Sequence, residues 1–303
     1  MNAIELKKVS YQTSEFQLKD ISFEVPKGFV TGFIGGNGAG KTTVIRLIMD
    51  LIQSKNGQIS VFNEQMKDSA VEIKNKIGFV YSETYFNDKW TAKKLENIVA
   101  PFYKDWDHEL FINYLQFFQL PYNKKIKTFS TGMKMKLSLA VAFSHHAELF
   151  ILDEPTSGLD PLVRNELLEI IQQELIDEDK TVFLSTHIIS DLEKIADYIV
   201  YLRDGEIIFN ESRDKLFEKY KVISGSNEDL DQELEELLIY KEIRKTGYIG
   251  LTEHYQTFKE LFGNRIEIKN PTIEELMIYL EKNKKKKDFK YYQQREKSLW
   301  NNF

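Results

Sequence analysis

The sequence predicts an α/β fold with a mostly parallel core sheet, an antiparallel β subdomain, a helical insertion and a small α+β C-terminal appendix. Three observations carry this. The apolar runs "FVTGFIG", "ELFILDE" and "KTVFLST" are continuous, as strands buried on both faces require. They alternate with helical patterns such as "RNELLEIIQQEL" and "IISDLEKIADYI", and strand–helix alternation implies a parallel sheet. By contrast, "AIELKKVSY" and "FQLKDISFEV" alternate polar and apolar residues, the pattern of antiparallel strands with one wet face.

Taken in order, the two alternating strands come first, and "PKG" turns the chain into the buried strand "FVTGFIG". A glycine-rich loop, Gly35 to Gly40, leads into "KTTVIRLIMDLI", which has the apolar spacing of a helix. "NGQISVFN" reads as a further strand after a turn. From about 84 to 147 the pattern is helical and aromatic, in "AKKLENIVAPFY", "HELFINYLQFFQL" and "TGMKMKLSLAVAFSHH", so a helical subdomain interrupts the α/β core. The core then resumes and closes on "IVYLRDGEIIF", read as one strand. These elements place one domain over 1–210 and an appendix over 211–303. The appendix has an acidic stretch, "SNEDLDQELEELL", then a strand–helix–strand–helix pattern and a basic tail around "KNKKKK". That tail reads as a solvated charge run or as a segment that lies against an anionic membrane surface.

Composition narrows the function. The chain has 303 residues, 42% hydrophobic and 29% charged, and a formal net charge of −6. That balance offers no global basic field, so no nucleic-acid partner is expected. With no cysteine, disulfide frameworks, zinc–thiolate sites and cysteine nucleophiles are all excluded. The N-terminal "MNAIELKKVSYQTSEFQ" lacks the apolar core of a secretory signal, and no run approaches the ~18 apolar residues of a membrane span. The expectation is a cytoplasmic protein whose membrane role, if any, comes through a partner.

The glycine-rich loop matches the phosphate-binding pattern Gly35-x-x-x-x-Gly40-Lys41-Thr42, with a buried strand before it and an amphipathic helix after it. Glycines let backbone N–H groups curl around phosphate oxygens where a Cβ would obstruct them. The helix N-terminus adds partial positive charge. Gly36, Asn37, Gly38, Ala39, Gly40, Lys41, Thr42 and Thr43 are therefore the candidate cradle, with Lys41 directed to the β- and γ-phosphates and Thr42 to Mg²⁺. The competing reading is a flexible turn with a solvated lysine. A second candidate site ends the strand "LFILDE": Asp153 suits Mg²⁺, and Glu154 suits orientation and deprotonation of an attacking water. Two solvated loop carboxylates would look the same in isolation. Together the motifs imply binding and hydrolysis of a nucleoside triphosphate.

Further residues carry a family resemblance. "FSTGMKMKLSLA", from Phe129 to Ala140, resembles the signature motif of ABC ATPases. "TSGLD", ending at Asp160, resembles their D-loop, and His187 in "LSTHIISDLE" resembles their switch histidine. Tyr11 stands near the aromatic that stacks on adenine in that family, with Phe16 as the alternative. The resemblance covers about 4 to 209. It implies a P-loop NTPase fold of the ABC nucleotide-binding type, ATP and Mg²⁺ as cofactors, and two domains that sandwich two ATP molecules head to tail. Ser130 and Gly132 would then meet the γ-phosphate held by the other domain, Asp160 would couple the two sites, and His187 would contact the γ-phosphate and the attacking water. Ser130 also fits an ordinary helix N-cap, and both roles can hold together.

The details resemble the ABC-2 exporter branch, where "STGM" replaces the commoner signature, and in particular ATP-binding subunits of peptide and antibiotic exporters. This implies a separate membrane-spanning permease, a homodimer or a heterodimer with a second ATPase, a position at the inner face of the cell membrane, and amphipathic peptides or related compounds as cargo. The alternative is a soluble ABC ATPase acting on the ribosome or DNA. One departure stands out: "IGFVYSE" places Ser82 where the family has a glutamine, which leaves Glu83 or a water to replace its metal contact. The aromatics Tyr85, Phe86, Trp90, Phe102, Tyr103 and Trp106 either form a groove for a coupling helix or fill the core of the insertion.

Overall fold

The computed structural model describes residues 1–83, 85–174 and 180–283; the basic tail from 284 lies outside them. The chain divides into two compact units, one over Met1–Ser212 and a second from Arg213 onward.

The first unit begins with strands β1 (Asn2–Gln12), β2 (Gln17–Pro26) and β3 (Val30–Ile34), helix α1 (Lys41–Ile48) and strand β4 (Asn56–Val61). Helix α2 (Met66–Asn75), strand β5 (Ile77–Val80) and the insertion helices α3 (Ala92–Val99), α4 (His108–Phe117) and α5 (Thr131–Phe143) follow. The core returns as β6 (Leu149–Asp153), α6 (Pro161–Glu174), β7 (Thr181–Thr186), α7 (Ile189–Ile195), β8 (Tyr198–Arg203) and β9 (Glu206–Ser212).

Six strands form the core sheet in the order β5-β6-β7-β3-β8-β9. All neighbours are parallel except β8 and β9. β3, β6 and β7 are buried along their whole length, which explains their unbroken apolar sequence. A second, antiparallel sheet has the order β2-β1-β4. Three stacked rings join the sheets: Phe23 of β2 lies 5.6 Å from Phe33 of β3 and 5.9 Å from Phe183 of β7, and Phe33 lies 5.2 Å from Phe183. Such pairs contribute about 0.5–1.5 kcal/mol each beyond area burial. The packing matters for the site, because β3 and β7 end in the loops that carry Lys41 and His187.

The final run of the core sheet differs from its sequence reading. "IVYLRDGEIIF" is two antiparallel strands, because Asp204 (φ 50°) and Gly205 (φ 75°) make a tight reversal. Asp-Gly is the dipeptide that such left-handed pairs favour, and its turn signal outweighs the continuous apolar pattern around it.

The second unit contains α8 (Arg213–Lys219), β10 (Lys221–Gly225), α9 (Gln232–Glu236), β11 (Leu238–Arg244), β12 (Gly247–Thr252), α10 (Tyr255–Phe262) and β13 (Glu267–Lys269). Its antiparallel sheet has the order β11-β12-β10-β13, with Ile223, Tyr248 and Phe258 in its own small core. The stretch "YKEIRKTGYIG" forms a hairpin where the sequence reading has a strand leading to a helix. Among the described residues, no helix is long and apolar enough to cross a membrane.

Candidate functional site

Lys41, Thr42, Asp153, Glu154 and His187 converge where β3, β6 and β7 end side by side. The loop after β3 runs from Gly35 to Gly40 and starts α1. Gly40 is the N-cap of α1 at φ 108°, and no side chain caps the helix. The orphan N–H groups of the first turn, which a helix cannot satisfy internally, are thus left for a ligand. A Cβ on Gly40 would lie 2.3 Å from Cζ of Phe16, so the loop passes directly beneath that ring. Gly36, Asn37 and Gly38 are exposed, whereas Ala39 is buried and its N–H donates to the Gly36 carbonyl at 3.1 Å.

Lys41 is 7% exposed. Its Nζ donates to the carbonyl of Gly35 at 2.8 Å and lies 3.2 Å from Oε1 of Glu154. Glu154 therefore sits between two groups, since its Oε2 is 2.5 Å from Nδ1 of His187. The backbone of Glu154 is left-handed, with φ 53°. Its N–H donates to the Ser185 carbonyl at 2.9 Å, which fixes the strand end against β7.

Asp153 is fully buried. Thr42 Oγ1 donates to its Oδ2 at 3.0 Å, while Oδ1 has no hydrogen-bond partner among the described residues. Burial pushes this carboxyl above its ordinary range, and the hydrogen bond from Thr42 opposes that. A buried, half-partnered carboxylate oxygen beside a threonine hydroxyl fits a Mg²⁺ ion, which takes one or two protein oxygens and completes its shell with phosphate and water.

A cavity of about 610 Å³ opens over these groups. Its lining includes Gly36, Asn37, Gly38, Gly40, Lys41, Thr42, Thr43 and Glu154 from the predicted set. Tyr11 and Phe16 both line it, so the structure keeps two aromatic candidates for a base. Ser130, Gly132 and Asp160 do not line it. Ser130 is the N-cap of α5 and accepts from Met133 N–H at 3.2 Å. Asp160 accepts from the N–H groups of Leu162 and Val163, both at 3.1 Å, at the start of α6. Gly132 faces Leu159 and Val163, each 3.6 Å from where its Cβ would stand.

Sequence reasoning missed Arg46. It lines the cavity from α1, and its Nε donates to the Tyr81 hydroxyl at 2.6 Å. The interaction with Tyr81 raises the Arg46 pKa, and burial opposes it. Tyr81 in turn packs edge-on against Tyr85, whose hydroxyl donates to Glu83 at 3.2 Å, so Glu83 is engaged on its own loop. Ser82 is exposed.

The aromatics of the insertion differ in burial. Tyr103 stacks on the buried His145 at 3.9 Å, and Trp106 donates its Nε1–H to the buried Glu96 at 3.2 Å. Phe86 and Trp90 are half-buried, whereas Tyr85 and Phe102 are 70% and 75% exposed.

Comparisons with known proteins agree with this geometry. The ABC transporter family profile matches residues 18–157. The chain is 32% identical over 218 residues to the ABC transporter ATP-binding protein YtrB of Bacillus subtilis, covering 72% of this chain and 74% of that protein. It is 34% identical over 197 residues to the bacitracin transport ATP-binding protein BcrA of Bacillus licheniformis, or 64% of each chain. A solved ATP-binding subunit of an ABC transporter matches it with a TM-score of 0.65 at 28% identity, covering 71% of this chain and 91% of that one.

Proposed function

Because the chain belongs to the ABC transporter family of ATP-binding proteins, we propose that it is the ATPase subunit of an exporter whose membrane-spanning permease is a separate chain. It binds and hydrolyses ATP. The relative BcrA is a bacitracin transport protein, and this favours amphipathic peptides or related compounds as cargo here. The carrying observation is the convergence of Lys41 and His187 on Glu154, where Lys41, Thr42 and Glu154 line one cavity, with Asp153 bonded to Thr42.

In the mechanism, the uncapped first turn of α1 and the exposed Gly36–Gly38 segment receive the phosphates. Lys41 moves from Glu154 to the β- and γ-phosphates, which are stronger anionic partners. Glu154, released on one side, orients the attacking water and takes its proton as general base. His187, already on the other carboxylate oxygen, steadies Glu154 and faces the γ-phosphate. Tyr11 or Phe16 stacks on the adenine. Asp153 and Thr42 are the residues that would hold Mg²⁺; the ion, when bound, screens charge on the terminal phosphates.

Ser130, Gly132 and Asp160 lie away from this cavity and serve that of a second copy, or of a second ATPase, in a head-to-tail dimer. Ser130, Gly132 and the start of α5 present another helix N-terminus to that partner's γ-phosphate. ATP closes the dimer, and closure drives the permease at the inner face of the membrane.

The test is ATP turnover and self-association of the purified full chain, followed by its turnover with the permease. Glu154→Gln is expected to bind ATP, to sediment as a dimer with ATP, and to lose turnover by about 10²–10⁴-fold, the usual contribution of a positioned base. Lys41→Ala is expected to weaken ATP binding itself. Turnover undiminished by Glu154→Gln would overturn the assignment of the base. An ATPase rate indifferent to any permease would favour a soluble ABC ATPase instead.

A further inference from the structure

One buried carboxylate ties together the two segments that carry Glu154 and His187. Asp191 lies in the first turn of α7, four residues after His187, and is fully buried. Its Oδ2 accepts the hydroxyl of Thr156 at 2.7 Å, two residues after Glu154. Its Oδ1 accepts Nε of Arg164, on α6, at 2.5 Å. The same guanidinium donates to Ser190 Oγ at 2.7 Å. The turn after Glu154 and helix α6 that follows it thus meet, on one side chain, a segment 27 to 35 residues further on.

Both catalytic segments need such a fixture. Glu154 has a left-handed backbone that a glutamate rarely adopts, and such a conformation persists only where its surroundings over-determine it. Backbone bonds hold it at its own N–H and at its carbonyl, which accepts from Ser157 N–H at 3.1 Å. Between those points, Thr156 is the residue whose side chain reaches another segment. On the other side, His187 stands in a turn closed by Ile188 N–H to Thr186 Oγ1 at 2.9 Å and by Asp191 N–H to the Ile188 carbonyl at 3.2 Å. Asp191 therefore closes the His187 turn through its backbone and anchors the Glu154 turn through its side chain. Arg164 balances the charge that makes this burial tolerable, since a buried carboxylate without a cation is strongly disfavoured.

We infer that Asp191, held by Arg164 and bonded to Thr156, is a positioning residue that sets the mutual register of Glu154 and His187. The inference rests on the ATPase reading for its kinetic consequence, but its structural consequence can be read without turnover. The bland alternative is a buried ion pair that only stabilises the fold.

The experiment compares the full-length wild type with Thr156→Val, Thr156→Ser and Asp191→Asn. Thr156→Val keeps the side-chain shape and removes only the hydroxyl. It is expected to lower kcat about tenfold or more, because small displacements of reacting groups are costly. KM for ATP should stay within about twofold, since the phosphate cradle is untouched. Thr156→Ser, which keeps the hydroxyl, should restore most of the rate. Asp191→Asn, which weakens the hold of Arg164, should act in the same direction as Thr156→Val. Amide hydrogen exchange supplies the independent readout. In Thr156→Val, segments 153–160 and 186–192 should both exchange faster, while β3 stays protected.

A lower melting temperature with unchanged kcat would overturn the inference and leave a purely structural pair. Faster exchange confined to 153–160 would also overturn it, because the two segments would then not be coupled. If the wild type failed to hydrolyse ATP, the ATPase reading would fall, and the exchange result would still decide whether Asp191 couples the segments.

Discussion

Asp153→Asn is expected to stabilise the nucleotide-free protein while it disables the site. The carboxylate is fully buried; among the described residues one oxygen has a hydrogen-bond partner, the Thr42 hydroxyl at 3.0 Å, and the other has none. A buried polar atom left without a hydrogen bond costs about 1–3 kcal/mol, and more where it is charged. Asparagine keeps the volume and an acceptor for Thr42, removes the charge, and offers its NH₂ across the β6–β7 pair to the Oγ of Ser185, an atom with no hydrogen-bond partner among the described residues. The expected gain is therefore about 1–3 kcal/mol, and for a unit the size of Met1–Ser212 this corresponds to about 2–12 °C in melting temperature. Thermal unfolding without nucleotide or divalent metal measures it. The order should reverse when ATP and Mg²⁺ are added. A ligand at a hundred times its Kd stabilises the native state by about 2.7 kcal/mol, and the metal-dependent share of that gain should be missing in the variant. A nucleotide-free Asp153→Asn protein that melts below the wild type would refute the reasoning. It would mean that the charge at Asp153 is already compensated without the metal.

Two glycines of the loop should separate folding from binding. Gly40→Ala combines a φ of 108° with a Cβ 2.3 Å from the Phe16 ring, so a loss of about 2–5 kcal/mol is expected in urea unfolding. Gly36→Ala meets nothing within 4 Å and has no left-handed backbone, so its unfolding curve should match the wild type while ATP titration shows weaker binding. His145 supplies a pH test. Burial lowers its pKa from 6.5 to about 4, so the folded state resists protonation more than the unfolded state does. The stability it permits is fully present above pH ~6.5 and is lost as the pH falls towards about 4, up to about 3 kcal/mol at 1.36 kcal/mol per pH unit. His145→Phe should flatten the unfolding free energy over that window, and an unchanged acid slope would show that other groups dominate it.

The phosphate cradle was legible because its parts are contiguous: one strand, one loop and one helix start lie within "FVTGFIGGNGAGKTT". The same holds for "LFILDE" and "LSTH", where each motif is a strand with its exit loop, and a parallel sheet brings exits of neighbouring strands to one edge. Arg46 and Tyr81 were not legible, because they meet across 35 residues and neither belongs to a contiguous pattern. Asp191 escaped for the same reason: its partners Thr156 and Arg164 lie 35 and 27 residues away, and only the fold joins them. The insertion aromatics could not be sorted by type. Trp106 and Tyr103 turn inward because Glu96 and His145 await them, whereas Tyr85 and Phe102 have large exposed surfaces. The double strand at "IVYLRDGEIIF" was legible in principle, because its Asp-Gly turn decides the structure, but a reading by hydropathy follows the apolar run on both sides.

The geometry around Glu154 also explains why its two neighbours, an ammonium and an imidazole, differ in kind. Lys41 is buried, so without Glu154 an empty cavity would leave its ammonium with two backbone carbonyls as its partners. Glu154 Oε1 at 3.2 Å supplies the counter-charge that makes the empty state tolerable. A phosphate brings more negative charge than a carboxylate and competes for the same ammonium. In the proposed mechanism, arrival of the substrate therefore withdraws Lys41 from Glu154 and frees Oε1 to meet the attacking water. His187 does not compete in this way, because its Nδ1 is on the other oxygen and at 2.5 Å. A carboxylate with one exchangeable partner and one retained partner is thereby oriented throughout, yet silenced only while the cavity is empty. Asp153 is placed differently: Thr42 donates to one of its oxygens and the other has no hydrogen-bond partner among the described residues, an arrangement that suits a metal ligand.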